Sequence, residues 1–153
     1  MCANDKPLVI LMADDDEDDC LLAKKALDQS SLNARLEFVK DGEELLEYLC
    51  REGGHERKHP EPDIILLDLN MPKMDGLEAL KAIKSQAALC HIPVIVLTTS
   101  KADQDVCNSY SFGASSFITK PASFKGLVET MGIIKRYWFE VVELPKKHAA
   151  WEG

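Results

Sequence analysis

The sequence predicts an α/β fold: a doubly wound parallel sheet with helices on both faces. Five short apolar, β-branched runs alternate with five stretches of helical periodicity. Three of the runs are almost unbroken apolar, which suits strands buried on both faces. The chain has 153 residues, 46% hydrophobic and 29% charged, the size and balance of one globular domain with a real core.

In chain order, strands are expected at Leu8–Ala13, Leu36–Val39, Ile64–Leu67, Pro93–Leu97 and Ser115–Thr119. Helices are expected between and after them. Asp18–Gln29 carries Leu21, Leu22, Ala26 and Leu27, and Gly42–Arg51 carries Leu45, Leu46 and Leu49. Leu77–Ala88 carries Leu77, Leu80, Ala82 and Ile83, behind an Asp75/Glu78 capping box. Asp103–Phe112 carries Val106, Cys107 and Tyr110. Phe124–Glu143 carries Leu127, Val128, Met131, Ile134, Trp138 and Val141 at helical spacing, a core-facing stripe. Strand–helix alternation of this kind builds a parallel sheet. A polar loop, 53–62, precedes the third strand. Its Gly and Pro boundaries argue against His55 and His59 forming a metal pair.

One domain is expected over residues 1–145, with 146–153 as a mobile tail. Only 32 residues follow Pro121, too few for a helix-turn-helix output domain after the last helix. No apolar run is long enough to span a bilayer, and the start lacks a signal-peptide layout, so a cytoplasmic location is expected. Cys2, Cys20, Cys50, Cys90 and Cys107 are odd in number and widely spaced, which suggests reduced thiols. The net charge of −8 disfavours nucleic acid and anionic lipid.

The polar residues that matter fall at strand ends. Asp14 and Asp15 follow the first strand, Asp68 the third, Thr98 ends the fourth and Lys120 follows the fifth. In an open parallel sheet these positions share one edge, where ligands bind. Three carboxylates there need a cation, and oxygen ligands at a partly open site suit Mg²⁺. A carboxylate can then act as nucleophile and form an acyl phosphate, with Lys120 and the metal neutralising charge and Thr98 donating a hydrogen bond.

Asp68-Leu69-Asn70-Met71-Pro72-Lys73-Met74-Asp75-Gly76 resembles the phospho-acceptor signature of response-regulator receiver domains. Asp14-Asp15, Thr98, Lys120-Pro121 and Lys40-Asp41-Gly42-Glu43 are similar to further receiver motifs, so that the resemblance covers about residues 7–140. It implies a flavodoxin-like fold with strand order 2-1-3-4-5, the order for which a receiver is a standing example. It implies Asp68 as acceptor. It implies Mg²⁺, or Mn²⁺ in its place, bound directly by Asp15, Asp68 and the backbone carbonyl of Asn70, and through water by Asp14. Lys120 would pair with Asp68 and later with phosphoryl oxygens; Thr98 and Phe117 would switch. The Lys120–Pro121 bond would be cis. Asn70 and Ser100 occupy positions that tune dephosphorylation. Phe117 stands where many receivers have Tyr, and so offers no hydroxyl.

The Leu97-Thr98-Thr99-Ser100 run, the 53–62 loop and the ending Tyr137–Pro145 resemble single-domain regulators paired with bacterial and cyanobacterial phytochrome kinases. That likeness implies a sensor histidine kinase as partner. Asp16 to Asp19 read as a solvated acidic helix start. Ile133, Tyr137, Phe139 and Val142 make further faces of the last helix apolar, which predicts a homodimer through it. Two other functions compete. An aspartyl phosphatase would usually place an acid two residues after the nucleophile, where Asn70 stands. A phosphorylation-independent scaffold would not need the full set of site residues.

Overall fold

The computed structural model describes residues 8–29, 34–50 and 59–145. The 53–58 part of the polar loop with His55, the 146–153 tail, and Cys2 lie outside them. Strands β1 (Leu8–Ala13), β2 (Ala34–Val39), β3 (Ile64–Leu67), β4 (Val94–Thr98) and β5 (Ser116–Thr119) form one parallel sheet. Its order is β2-β1-β3-β4-β5. The helices are α1 (Glu17–Gln29), α2 (Gly42–Leu49), α3 (Gly76–Lys84), α4 (Asp103–Ser111) and α5 (Phe124–Lys135), the last continuing into a π-helical segment, Arg136–Val141. Among the described residues no helix is long and apolar enough to cross a membrane.

The side-chain alternation of the central strands feeds two cores. Leu11, Ala13, Ile65, Leu67, Val94 and Val96 face α2 and α3, where Leu45, Leu49, Leu80 and Ile83 meet them. Ile10, Met12, Ile64, Leu66, Ile95 and Leu97 face α1 and α5, against Ala23, Ala26, Leu27, Leu127, Met131 and Ile134. A period of two in each strand is what a sheet covered on both faces requires. Asp41 caps α2 by accepting from the Glu44 N–H. The Asp75/Glu78 capping box starts α3 as expected.

Three helical stripes differ from their expected form. On α1 the buried residues are Ala23, Ala26 and Leu27, while Leu21 and Leu22 stay on the rim at 52% and 37% exposure. Small alanines let the helix lie close to the sheet and leave the bulkier leucines outside. On α4 only Ser109 is buried, and Tyr110 and Cys107 are exposed. The last helix is not one α-helix to Glu143. Its end winds as a π-helix, with the Val142 N–H donating to the Tyr137 carbonyl five residues back at 3.0 Å. The wider turn brings Trp138 and Phe139 against the α1/α5 core and turns Val141, expected in the core, 63% outward.

Candidate functional site

The carboxyl ends of β1, β3, β4 and β5 place the site. Pairing of β1 with β3 brings Ala13 level with Leu67, so Asp14 and Asp68 emerge side by side. The Asp68 N–H donates to the Ala13 carbonyl at 2.9 Å, and the Asp14 N–H to the Val39 carbonyl at 3.0 Å. Both acids are thereby fixed by the sheet itself. Gly76 packs on this turn so closely that a Cβ there would lie 2.2 Å from the Asp68 carbonyl oxygen. Only a residue without a side chain lets α3 start so near Asp68.

Asp14, Asp15 and Asp68 offer carboxylate oxygens that all lie within 4.8 Å of one another, with Asp14 and Asp68 buried and Asp15 exposed. At that separation and an effective dielectric of about 20, each pair of charges repels by roughly 3 kcal/mol. The donor set is hard oxygen on a half-open edge, which fits a divalent cation of the Mg²⁺ type. Burial raises the pKa of Asp14 above its usual value; the bond from Lys120, the Asp16 N–H and the Lys120 charge offset it, and the charge of Asp68 adds to it. Asn70, two residues past Asp68, is exposed, and its N–H lies 3.5 Å from Asp68 Oδ1.

Two groups converge on Asp68, one from the end of the neighbouring β4 and one from just after β5, the next strand out. The buried Thr98 hydroxyl donates to Asp68 Oδ1 at 2.7 Å. The Lys120 ammonium stands 3.6 Å from Asp68 Oδ2. Lys120 does not pair most tightly with Asp68, however. It donates to Asp14 Oδ2 and to Asp19 Oδ2, each at 2.6 Å. Burial pulls the Lys120 pKa down, but the bonds to Asp14 and Asp19 and the charges of Asp14 and Asp68 outweigh it, so the group is held protonated beyond the ordinary lysine range.

Asp19 is the residue that sequence reasoning missed. It sits in the first turn of α1, where Asp16 accepts from the N–H groups of Asp18 and Asp19. Asp16 and Asp18 are exposed, as the solvated reading expects; Asp19 turns back toward Lys120. Had Asp16 been taken as the cap, Asp19 would have fallen on the turn over the strand end. A second missed contact is Tyr110, whose hydroxyl accepts from the Phe117 N–H at 3.1 Å. Phe117 itself is half-buried against the α2/α3 core. Ser100 donates to Asp105 Oδ2 at 2.5 Å, tying the loop after β4 to α4.

The Lys120–Pro121 bond is not cis: the described residues contain no cis peptide. Trans is the intrinsically favoured isomer by about 0.5–1 kcal/mol even before proline, and Lys120 reaches the acids from it. On the last helix, Ile133 and Tyr137 are 67% and 51% exposed, while Phe139 and Val142 are half-buried.

Comparison with known proteins agrees with this fold. The family model for the response regulator receiver domain matches residues 10–132. Response regulator Rcp1 of Synechocystis sp. is 39% identical over 139 residues, 91% of this chain and 94% of that protein. The crystal structure of the phosphorylated cyanobacterial phytochrome response regulator RcpA superposes with a TM-score of 0.84 at 37% identity, covering 92% of this chain and 99% of that one. The Mn²⁺-bound form of Rcp1 gives 0.82 at 38% identity, covering 92% and 100%. With the strand order, the acidic edge and a match over most of its length, the chain belongs to the response-regulator receiver family.

Proposed function

We propose that Asp68 accepts a phosphoryl group from a sensor histidine kinase and that the new charge is read by Thr98 and Lys120. The observation that carries this is the convergence of Thr98 and Lys120 on the two carboxylate oxygens of Asp68, beside Asp14 and Asp15. An Asp68 oxygen attacks phosphorus as the phosphorus–nitrogen bond to the kinase imidazole breaks, and the imidazole keeps the electron pair and takes up a proton. A Mg²⁺ or Mn²⁺ ion held by Asp14, Asp15, Asp68 and the Asn70 carbonyl would supply positive charge to the transferring oxygens. Thr98, already donating to Asp68, follows the phosphoryl oxygen; Phe117, half-buried on the adjacent edge strand, follows Thr98 inward. Asn70, two residues past Asp68, and Ser100, two past Thr98, tune the lifetime of the acyl phosphate.

The relatives' phytochrome association makes a phytochrome kinase the favoured donor, and a cytoplasmic location goes with it. Residues 1–145 act as one receiver unit whose output is protein contact or onward transfer. The exposed Ile133 and Tyr137, with Val141 and the edges of Phe139 and Val142, support a homodimer through the last helix. Light scattering that finds only monomer at high concentration contradicts the dimer.

The test of the acceptor is intact-protein mass spectrometry after acetyl phosphate and Mg²⁺. The native chain should gain one phosphoryl group, and Asp68→Asn none. A native chain that gains nothing, either from acetyl phosphate or from a phosphorylated kinase, contradicts the reading.

A further inference from the structure

Lys120 has more negative partners than its role beside Asp68 requires. Its ammonium contacts Asp14 and Asp19 at 2.6 Å and stands 1 Å farther, at 3.6 Å, from Asp68. Asp14 belongs to the acid cluster that suits a cation, so a cation would compete for it. Asp19 does not. It comes from the first turn of α1, its backbone N–H held at 3.2 Å by Asp16 Oδ1. The cavity beside the pair is lined by apolar Met12, Leu22, Leu97 and Phe124, together with Ser123 and with Asp19 and Lys120 themselves. The Lys120 side chain is 10% exposed and that of Asp19 32%, so solvent screens the pair only in part and the attraction exceeds that of a fully exposed surface pair.

We infer that Asp19 is a positioning residue: it holds Lys120 on the α1 side of the site until a phosphoryl group arrives, and so opposes engagement of the switch. The inference rests on Asp68 being the acceptor. A ligand that needs Lys120 must draw it away from Asp19, and whatever stabilises the resting arrangement alone weakens that ligand by the same factor. Asp19 is not a catalytic residue in this account; it acts through Lys120.

The test uses the full chain, Mg²⁺ and beryllofluoride, a phosphoryl mimic, titrated by calorimetry. Asp19→Asn keeps the shape and removes the charge; it should bind beryllofluoride about fivefold more tightly than native. Asp19→Glu, which restores a carboxylate, should return affinity toward native. Asp18→Asn removes the same charge from an exposed neighbour and should bind as native does. Equal or weaker binding by Asp19→Asn overturns the inference. So does equal tightening in Asp18→Asn, which would make the effect one of net charge, or in Asp19→Glu, which would make it one of packing. A native chain that binds no beryllofluoride overturns the acceptor reading and takes this inference with it.

Discussion

Strands β3 and β5 are each followed at once by a charged residue of the site, yet they are built differently. All four residues of β3 are buried, and it pairs with β1 on one side and β4 on the other. In β5, Ser116, Phe117 and Ile118 are half-buried and Thr119 is exposed, and it pairs with β4 alone. The first leads to Asp68, the second to Lys120. The contrast teaches a division of labour under the proposed function: the group that would react, Asp68, is fixed by the densest part of the sheet, and one of the two groups that would read it, Lys120, follows the less buried edge strand.

Core truncation should break the comparison most visibly. Ile65→Ala, in the fully buried middle of β3, should cost about 3–4 kcal/mol. Ile118→Ala, at a half-buried edge position, should cost about 1 kcal/mol, because its neighbours can relax toward solvent. Urea denaturation measures both; equal costs would remove the distinction.

Next in size is Lys120→Ala. It leaves buried Asp14 and Asp68 without their cation, which should cost about 3 kcal/mol in metal-free solution at neutral pH. Mg²⁺ should recover part of that loss and bind the variant more tightly than native, since one positive charge has left the site. Denaturation with and without Mg²⁺ decides it.

A pH series sharpens the electrostatic side. Burial raises the Asp14 pKa, so the folded chain holds that proton more firmly than the unfolded chain. Ionised Asp14 therefore costs stability above its raised pKa, and protonation relieves the cost as pH falls through it. A cation needs the ionised form. Mg²⁺ affinity should accordingly decline on acidification from a pH above the ordinary aspartate range of about 3.9. Calorimetric titration across pH 4–7 checks the direction. Affinity that stays flat until the ordinary range is reached contradicts it.

The smallest effect expected is that of Tyr110→Phe. It removes the hydroxyl that accepts from the Phe117 N–H, a bond worth about 0.5–1.5 kcal/mol. The loss should appear as faster amide exchange in β5 with β3 unchanged.

Much of this was legible in the sequence because strand ends in a parallel sheet have only one place to go. Asp14, Asp15, Asp68, Thr98 and Lys120, scattered over more than a hundred positions, meet at one edge once the strands are placed. Partner choice among them was not legible. Lys120 has three acids within reach, and whether it prefers Asp68 or Asp19 depends on where α1 begins by a residue or two. The last helix shows the same limit. Periodicity put Val141 with Trp138 in the core, but periodicity assumes α winding, and the π turn after Lys135 changes which residues face inward. Leu21 and Leu22 show another: an apolar pattern marks a helix and leaves open whether alanines or leucines take the contact.

Hydrogen–deuterium exchange with and without Mg²⁺ and beryllofluoride tests the division between β3 and β5 most directly. Exchange should change over residues 98–105 and 115–120, where Thr98, Ser100, Phe117 and Lys120 lie, while residues 64–67 stay slow in both states. A change concentrated in 64–67, with the β4–α4 loop and β5 unaffected, would contradict the account.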